Sequence, residues 1–143
     1  MNLDLVAEAD RLEFLPQHFG NDALQFEGMI FAYAEHQIAD YNGGYWEFGL
    51  LDNGAPVMIW LGMGEEDMYQ VVCDTNFFND QMSALEVSLG LNIVVNNLMG
   101  WKYHEKGDHE TSQEFFDRYE KIKSWVYSNL KDDQISRIHR YLD

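Results

Sequence analysis

The stretch YNGGYWEFGLLDNGAP (residues 41–56) decides how the first half of the sequence folds. After two glycines, Trp46, Phe48 and Leu50 alternate with side chains that point the other way, and this period of two is typical of a β-strand. Residues 52–54 (DNG) then supply side chains that tolerate the positive φ of a tight turn. The stretch therefore predicts a β-hairpin whose returning strand covers residues 57–61.

Elements on either side of the hairpin complete a small sheet and a first helix. Residues 68–74 are rich in β-branched side chains and predict a third strand, so three antiparallel strands in meander order are the simplest arrangement. Residues 21–41 carry apolar side chains at helical spacing, with Asn21 or Asp22 as the cap. We expect this helix to end before Gly43.

Three further helices are predicted in the second half of the chain. Ser83-Ala-Leu-Glu86 has the capping-box pattern and opens a helix that extends to about Trp101. This helix is apolar on most of its circumference, so we expect it to be the most buried one. A second capping-box pattern, Thr111-Ser-Gln-Glu114, opens the next helix, and Asp132 or Asp133 caps a short last helix.

Length and composition predict one soluble domain. The chain has 143 residues, of which 46% are hydrophobic, enough to bury a core without disulfides or metals. We expect a single α+β domain over residues 1–143, with a three-stranded sheet packed against about four helices. Cys73 is the only cysteine and cannot form an internal disulfide. The sequence has no signal-peptide pattern and no apolar run of the roughly 18 residues that a membrane span needs, so a cytoplasmic location is expected.

The negative charge is concentrated in one part of the chain. The net charge is −16, and residues 12–101 contain thirteen Asp or Glu but no Lys or Arg. Such a surface repels nucleic acid and anionic lipid, which disfavours direct binding to either. The charge has two interpretations: the protein binds a basic protein partner, or the acidic composition serves solubility alone.

No catalytic pattern stands out. The sequence lacks a Gly-x-Ser-x-Gly nucleophile motif, a phosphate-binding glycine loop, a His-Glu-x-x-His zinc motif and a dinucleotide-binding fingerprint. We therefore predict no catalytic residue, no metal and no cofactor. One alternative is a small metal-dependent enzyme that uses the segment from His104 and Glu105 to His109 and Glu110, which is otherwise a solvated loop.

Two sequence elements resemble the antirestriction protein family that includes ArdB and KlcA. They are RLEFLPQHFG (residues 11–20) and YNGGYWEF (residues 41–48), the second continuing to Gly54. After that glycine the family hairpin usually passes through a second glycine to a proline, whereas this chain has Ala55 and Pro56. The residues that match the family pattern are Pro16, His18, Phe19, Tyr41, Gly43, Gly44, Trp46, Phe48, Asn53 and Gly54.

The resemblance implies a compact α+β protein from a mobile element that protects incoming DNA from type I restriction enzymes and has no enzymatic activity. Its expected partner is the restriction enzyme or another host DNA-processing protein, and we expect it to be a monomer. The alternative mechanism is DNA mimicry in the restriction enzyme's DNA cleft. One turn of duplex carries about 20 negative charges, more than the net −16 of the whole chain, so mimicry of a full site is disfavoured.

Four residues are candidates for contacts with the partner. Tyr45 is an aromatic side chain in the glycine-rich stretch, and Glu65, Glu66 and Asp67 form an acidic loop after the hairpin. An exposed aromatic side chain beside carboxylates suits a basic protein surface. The two glycines before Tyr45 are interpreted as a structural turn between helix and hairpin.

Overall fold

A computed structural model describes residues 3–64 and 67–143. In these residues the chain forms five α-helices and two small antiparallel sheets, which confirms the α+β class. The helices are α1 (Arg11–Phe19), α2 (Ala23–Gln37), α3 (Ala84–Glu105), α4 (His109–Asn129) and α5 (Asp132–Leu142). The strands are β1 (Leu3–Leu5), β2 (Trp46–Leu51), β3 (Pro56–Trp60), β4 (Tyr69–Cys73) and β5 (Phe78–Met82).

The three-stranded sheet contains the predicted hairpin but a different third strand. β2 and β3 pair antiparallel, with Trp46 opposite Trp60. The predicted strand over residues 68–74 exists as β4, yet it pairs with β5 in a separate sheet, so its predicted place in a meander is wrong. The third strand is β1, which pairs with the other side of β2.

The free edge of β3 is closed by side chains of α3. Ser88 Oγ accepts a hydrogen bond from Trp60 N at 2.8 Å. One helical turn later, Asn92 Oδ1 accepts from Met58 N at 3.1 Å and Asn92 Nδ2 donates to Met58 O at 2.7 Å. The four residues from Ser88 to Asn92 rise about 6 Å along the helix, and the two from Trp60 to Met58 span about 6.6 Å along the strand. The two spacings are nearly equal, so successive helical turns can reach successive edge residues of β3. The helix thus takes the place of a fourth strand, and this explains why β4 does not pair there.

α3 is the central helix, as predicted. It contacts β3, β5, α2, α4 and α5, and its side chains include many that are fully buried. The predicted capping box at its start is confirmed: Ser83 Oγ accepts from Glu86 N at 3.1 Å, and Glu86 Oε2 accepts from Ser83 N at 3.2 Å. Among residues 3–64 and 67–143, no helix combines the length and apolarity needed to cross a membrane.

The other helix boundaries differ in part from the predictions. α2 begins after Asp22, as predicted, but ends at Gln37 and is preceded by α1, which was not predicted as a helix. α4 begins two residues before Thr111, because the Asp108 carboxylate accepts from Thr111 N at 3.1 Å, so the second capping box is wrong. The residue that precedes α5 is Lys131, so neither predicted aspartate is its cap.

Candidate functional site

Arg11 joins the two sequence elements that resemble the antirestriction family. At the start of α1, its Nη1 donates to Glu47 Oε2 at 2.7 Å and its Nη2 donates to Trp46 O at 2.8 Å. The guanidinium lies 4.8 Å from the ring centroid of Phe48 and 5.1 Å from that of Tyr45. α1 is thereby fastened to β2, and the positive charge is neutralised by a partly buried carboxylate.

The glycine-rich stretch forms a cluster of aromatic side chains around one backbone turn. Trp60 Nε1 donates to Gly43 O at 2.8 Å, and Trp46 Nε1 donates to Tyr41 OH at 2.9 Å. Both glycines have positive φ, 99° at Gly43 and 89° at Gly44. The geometry therefore supports the interpretation of this stretch as a structural turn.

The turn of the hairpin packs on α4. Asn53 Oδ1 accepts from Ala55 N at 3.3 Å within the turn, and Asn53 Nδ2 donates to Lys121 O at 2.8 Å. Gly54 has a φ of 89°, a conformation that favours glycine. Asn53, which matches the family pattern, thus connects the hairpin turn to α4.

His18 faces the same region from α1. Arg118 of α4 donates from Nη2 to His18 O at 2.7 Å, and its guanidinium lies 4.6 Å from the ring centroid of Phe19 and 5.0 Å from that of Phe115. A cavity of about 290 Å³ opens beside these groups. It is lined by His18, Gly54, Ala55, Pro56, Glu114, Asp117, Arg118 and Lys121.

Burial affects the pKa of both His18 on α1 and Arg118 on α4. It lowers the pKa of His18, and the positive charge of Arg118 adds to this shift, so the imidazole is neutral at neutral pH. Burial also lowers the pKa of Arg118, although nearby carboxylates oppose the change. A neutral imidazole and a guanidinium beside two phenyl rings are typical of a packing contact.

The structure describes two of the four residues that are predicted to contact the partner. Tyr45 is 54% exposed and lies beside Arg11 at the start of β2. Asp67 is exposed between β3 and β4. Glu65 and Glu66 lie outside the described residues. These four positions stay predictions.

The segment proposed for the metal-dependent alternative brings two imidazoles together. The ring centroids of His104 and His109 are 5.2 Å apart, and both rings are exposed, as are Glu105 and Glu110. Across residues 3–64 and 67–143, no three His, Cys, Asp or Glu side chains are grouped so that they could hold a metal ion. The structure therefore lends this alternative no support.

A larger cavity, of about 510 Å³, contains Cys73. The thiol lies 3.3 Å from Thr75 Oγ1 and 3.8 Å from Gln37 Nε2. At the rim, His36 Nε2 and Asp74 Oδ2 are 3.1 Å apart. Within the described residues no hydrogen bond joins Cys73 to an imidazole, so the thiol lacks the base that would activate it. Cys73 is a buried side chain, as predicted.

A surface groove between α1 and α2 was not predicted from the sequence. This α1–α2 groove has a volume of about 390 Å³ and is lined by Arg11, Leu12, Leu15, Pro16, Ala23, Leu24, Glu27 and Phe48. Leu12 is 92% exposed and Leu24 is 84% exposed. The only signal in the sequence was that the segment before residue 21 carries several apolar residues outside any predicted element.

Comparison with known proteins places these features in a family. No family model matches the chain. YubI of Escherichia coli strain K12, which is named as an antirestriction protein, is 38% identical over 103 residues, covering 72% of this chain and 70% of YubI. The antirestriction protein KlcA of Escherichia coli is 35% identical over 82 residues, covering 55% of this chain and 54% of KlcA.

A solved structure has the same fold. It aligns with a TM-score of 0.81 over 99% of this chain and 94% of its own, at 24% sequence identity. It comes from work on KlcA and ArdB, which describes a novel fold and antirestriction activity against type I DNA restriction systems in vivo but not in vitro. With more than a third of the aligned residues shared with YubI over most of both chains, the chain belongs to the ArdB/KlcA-like family of antirestriction proteins.

Proposed function

We propose that the chain counteracts host type I restriction-modification and so protects incoming plasmid or phage DNA, acting as one domain that binds a protein and catalyses no reaction. The observation that carries this proposal is the match to YubI over most of both chains. The activity described for KlcA and ArdB is directed against type I systems, and these proteins share the fold of this chain.

The arrangement of the cations supports a protein target rather than a nucleic acid. All four arginines are engaged within the molecule: Arg11 with Glu47, Arg137 with Glu86, Arg140 with Asp80, and Arg118 with the His18 carbonyl and two phenyl rings. Five lysines are left to contact phosphates, on a chain whose net charge of −16 repels them. A basic surface on the type I restriction enzyme, or on another host DNA-processing protein, is the complementary partner.

The contrast between activity in vivo and in vitro supports the same mechanism. A protein that simply filled the DNA cleft would inhibit the purified restriction enzyme, whereas KlcA and ArdB are described as active in vivo but not in vitro. By analogy, this chain acts on a component or a state that is present in the cell. Its charge is also too low for a mimic of a complete recognition site.

The plating efficiency of unmodified phage tests this function. On a host with an active type I system, expression of the protein should raise plating, because cleavage of the entering DNA is prevented. On a restriction-free host plating should not change, which excludes a general effect on infection. Unchanged plating on the restricting host, with soluble protein present, would contradict the function. Inhibition of the purified restriction enzyme at stoichiometric concentration would replace the proposed mechanism with direct occupation of the DNA cleft.

The acidic loop over residues 65–67 is proposed as part of the contact. Neutralising it (Glu65→Gln, Glu66→Gln, Asp67→Asn) should weaken protection, since a basic partner loses three attractive charges, and leave thermal unfolding unchanged. The control is a second triple variant that removes three exposed carboxylates elsewhere, at Glu105, Glu110 and Glu120. Full protection by the loop variant, or an equal loss in the control, would remove this loop from the interface.

A further inference from the structure

We propose that the α1–α2 groove binds a basic amphipathic helix of the partner protein. This inference rests on the proposed function, because it names the surface through which that partner is held. It differs from the predicted contacts at Tyr45 and residues 65–67. Three features of the groove carry it: its exposed leucines, its shape and its charge.

Two of the most exposed large apolar side chains in the described residues lie on this groove. Leu12 projects from α1 and Leu24 from the first turn of α2, at 92% and 84% exposure. Between them the walls include Leu15 and Phe48, which are buried in the core. Single exposed leucines are common on soluble proteins, but two beside one apolar groove mark a binding surface.

The groove has the form of a helix-binding site. It runs between two helices and has a volume of about 390 Å³, enough for the apolar side chains of one or two helical turns. Leu12 and Pro16 are four residues apart on α1 and therefore lie on one face. Pro16 and Phe48 both match the family pattern, and their places in the groove bring the two sequence elements into one surface.

The charge around the groove selects a basic occupant. Glu27 lies in its wall, and Glu8 and Glu13 are exposed near Leu12 along the chain. Its one cation, Arg11, is held by Glu47 at 2.7 Å. A helix with leucine-like side chains on one face and Lys or Arg on its flanks is complementary to this arrangement. Anionic lipid, which also covers apolar surfaces, would be repelled.

A pair of surface variants tests the groove in cells. The double variant Leu12→Ser, Leu24→Ser should lose protection of phage DNA on the restricting host while its thermal unfolding stays like that of the wild type, because both side chains are exposed. The matched control is Phe77→Ser, which removes a side chain of 92% exposure from the turn between β4 and β5 and should keep protection. Full protection by the double variant would overturn the inference. Absence of protection by the wild type would instead contradict the proposed function, and the binding experiment below then decides on the groove alone.

Binding is measured with a synthetic probe. A fluorescently labelled 18-residue helical peptide, with Leu on one face and Lys on the other, should bind the wild type in a fluorescence-anisotropy titration. Binding should be about tenfold weaker or worse in the double leucine variant, whose charge is unchanged. Glu27→Lys should also weaken binding, whereas Glu120→Lys, at an exposed position on α4, should not. Equal affinity for the wild type and the double leucine variant would overturn the proposed site.

A second copy of the chain is the other occupant that the experiments can detect. Light scattering coupled to size exclusion should show the same monomer mass for the wild type and for the double leucine variant. A wild-type dimer that becomes monomeric in that variant would show that the groove joins two copies of this chain, which would overturn the assignment to a basic helix.

Discussion

Replacing Asn92 with alanine should lower the free energy of unfolding by about 4 kcal/mol. Asn92 is fully buried, and its side chain pairs with both the N–H and the C=O of Met58 on the edge of β3. The change leaves these two buried backbone groups without partners, at about 1–3 kcal/mol each, and opens a small cavity. Chemical denaturation followed by circular dichroism measures the loss.

Asn96→Ala is the matched control, one turn further along α3. Asn96 is also fully buried, but its Nδ2 bonds only to the Asn92 carbonyl, and its Oδ1 is buried without a hydrogen-bond partner among the described residues. Asn92 pairs with Met58, so four residues further along α3 the register places Asn96 opposite Pro56 on β3. Proline has no N–H to donate. We expect a loss of about 1 kcal/mol. Equal losses at both positions would contradict the role of Asn92 as a substitute for a strand.

Gly44→Ala should lower the free energy of unfolding by about 3 kcal/mol. Its φ of 89° is unfavourable for alanine, and a Cβ would lie 2.6 Å from Gly62 O and 2.7 Å from Trp60 Nε1. The turn would have to shift away from Trp60, weakening the bond from this indole to Gly43 O. Denaturation measures the loss, and protection of phage DNA should fall only as far as the folded fraction falls.

Gly43→Ala separates the cost of placing alanine at a positive φ from the cost of the close contact that the added Cβ makes. Gly43 has a similar φ of 99°, but a Cβ there would meet no atom within 4 Å. We expect a loss of about 1 kcal/mol, that is, the conformational part alone. If the Gly43 variant is as unstable as the Gly44 variant, the close approach to Trp60 and Gly62 does not limit the turn.

Local patterns made part of this fold predictable. The hairpin follows from alternation and from the DNG turn, since both act over a few residues. The Ser83 to Glu86 capping box is confirmed because both of its hydrogen bonds lie within one turn. The same pattern at Thr111 failed because Asp108, three residues earlier, accepts from the Thr111 N–H instead.

Features that depend on contacts between distant residues could not be predicted from the sequence. β1 comprises three of the described residues, too few to show a period, and pairs with a strand more than forty positions away. The sequence of β5, FNDQM, alternates weakly and is rich in residues that strands disfavour, so the partner of β4 gave no signal. The α1–α2 groove exists only once two helices have packed, and its exposed leucines resemble core residues in the sequence.

Closure of the β3 edge also limits how this protein can associate. An open edge accepts a strand from another chain, which is how sheets extend between molecules and how many aggregates grow. Here one edge of the three-stranded sheet is occupied by Ser88 and Asn92, and the other is β1, which spans three residues as described. Among the described residues this sheet leaves β1 as its open edge, which limits the ways in which the sheet can extend between molecules.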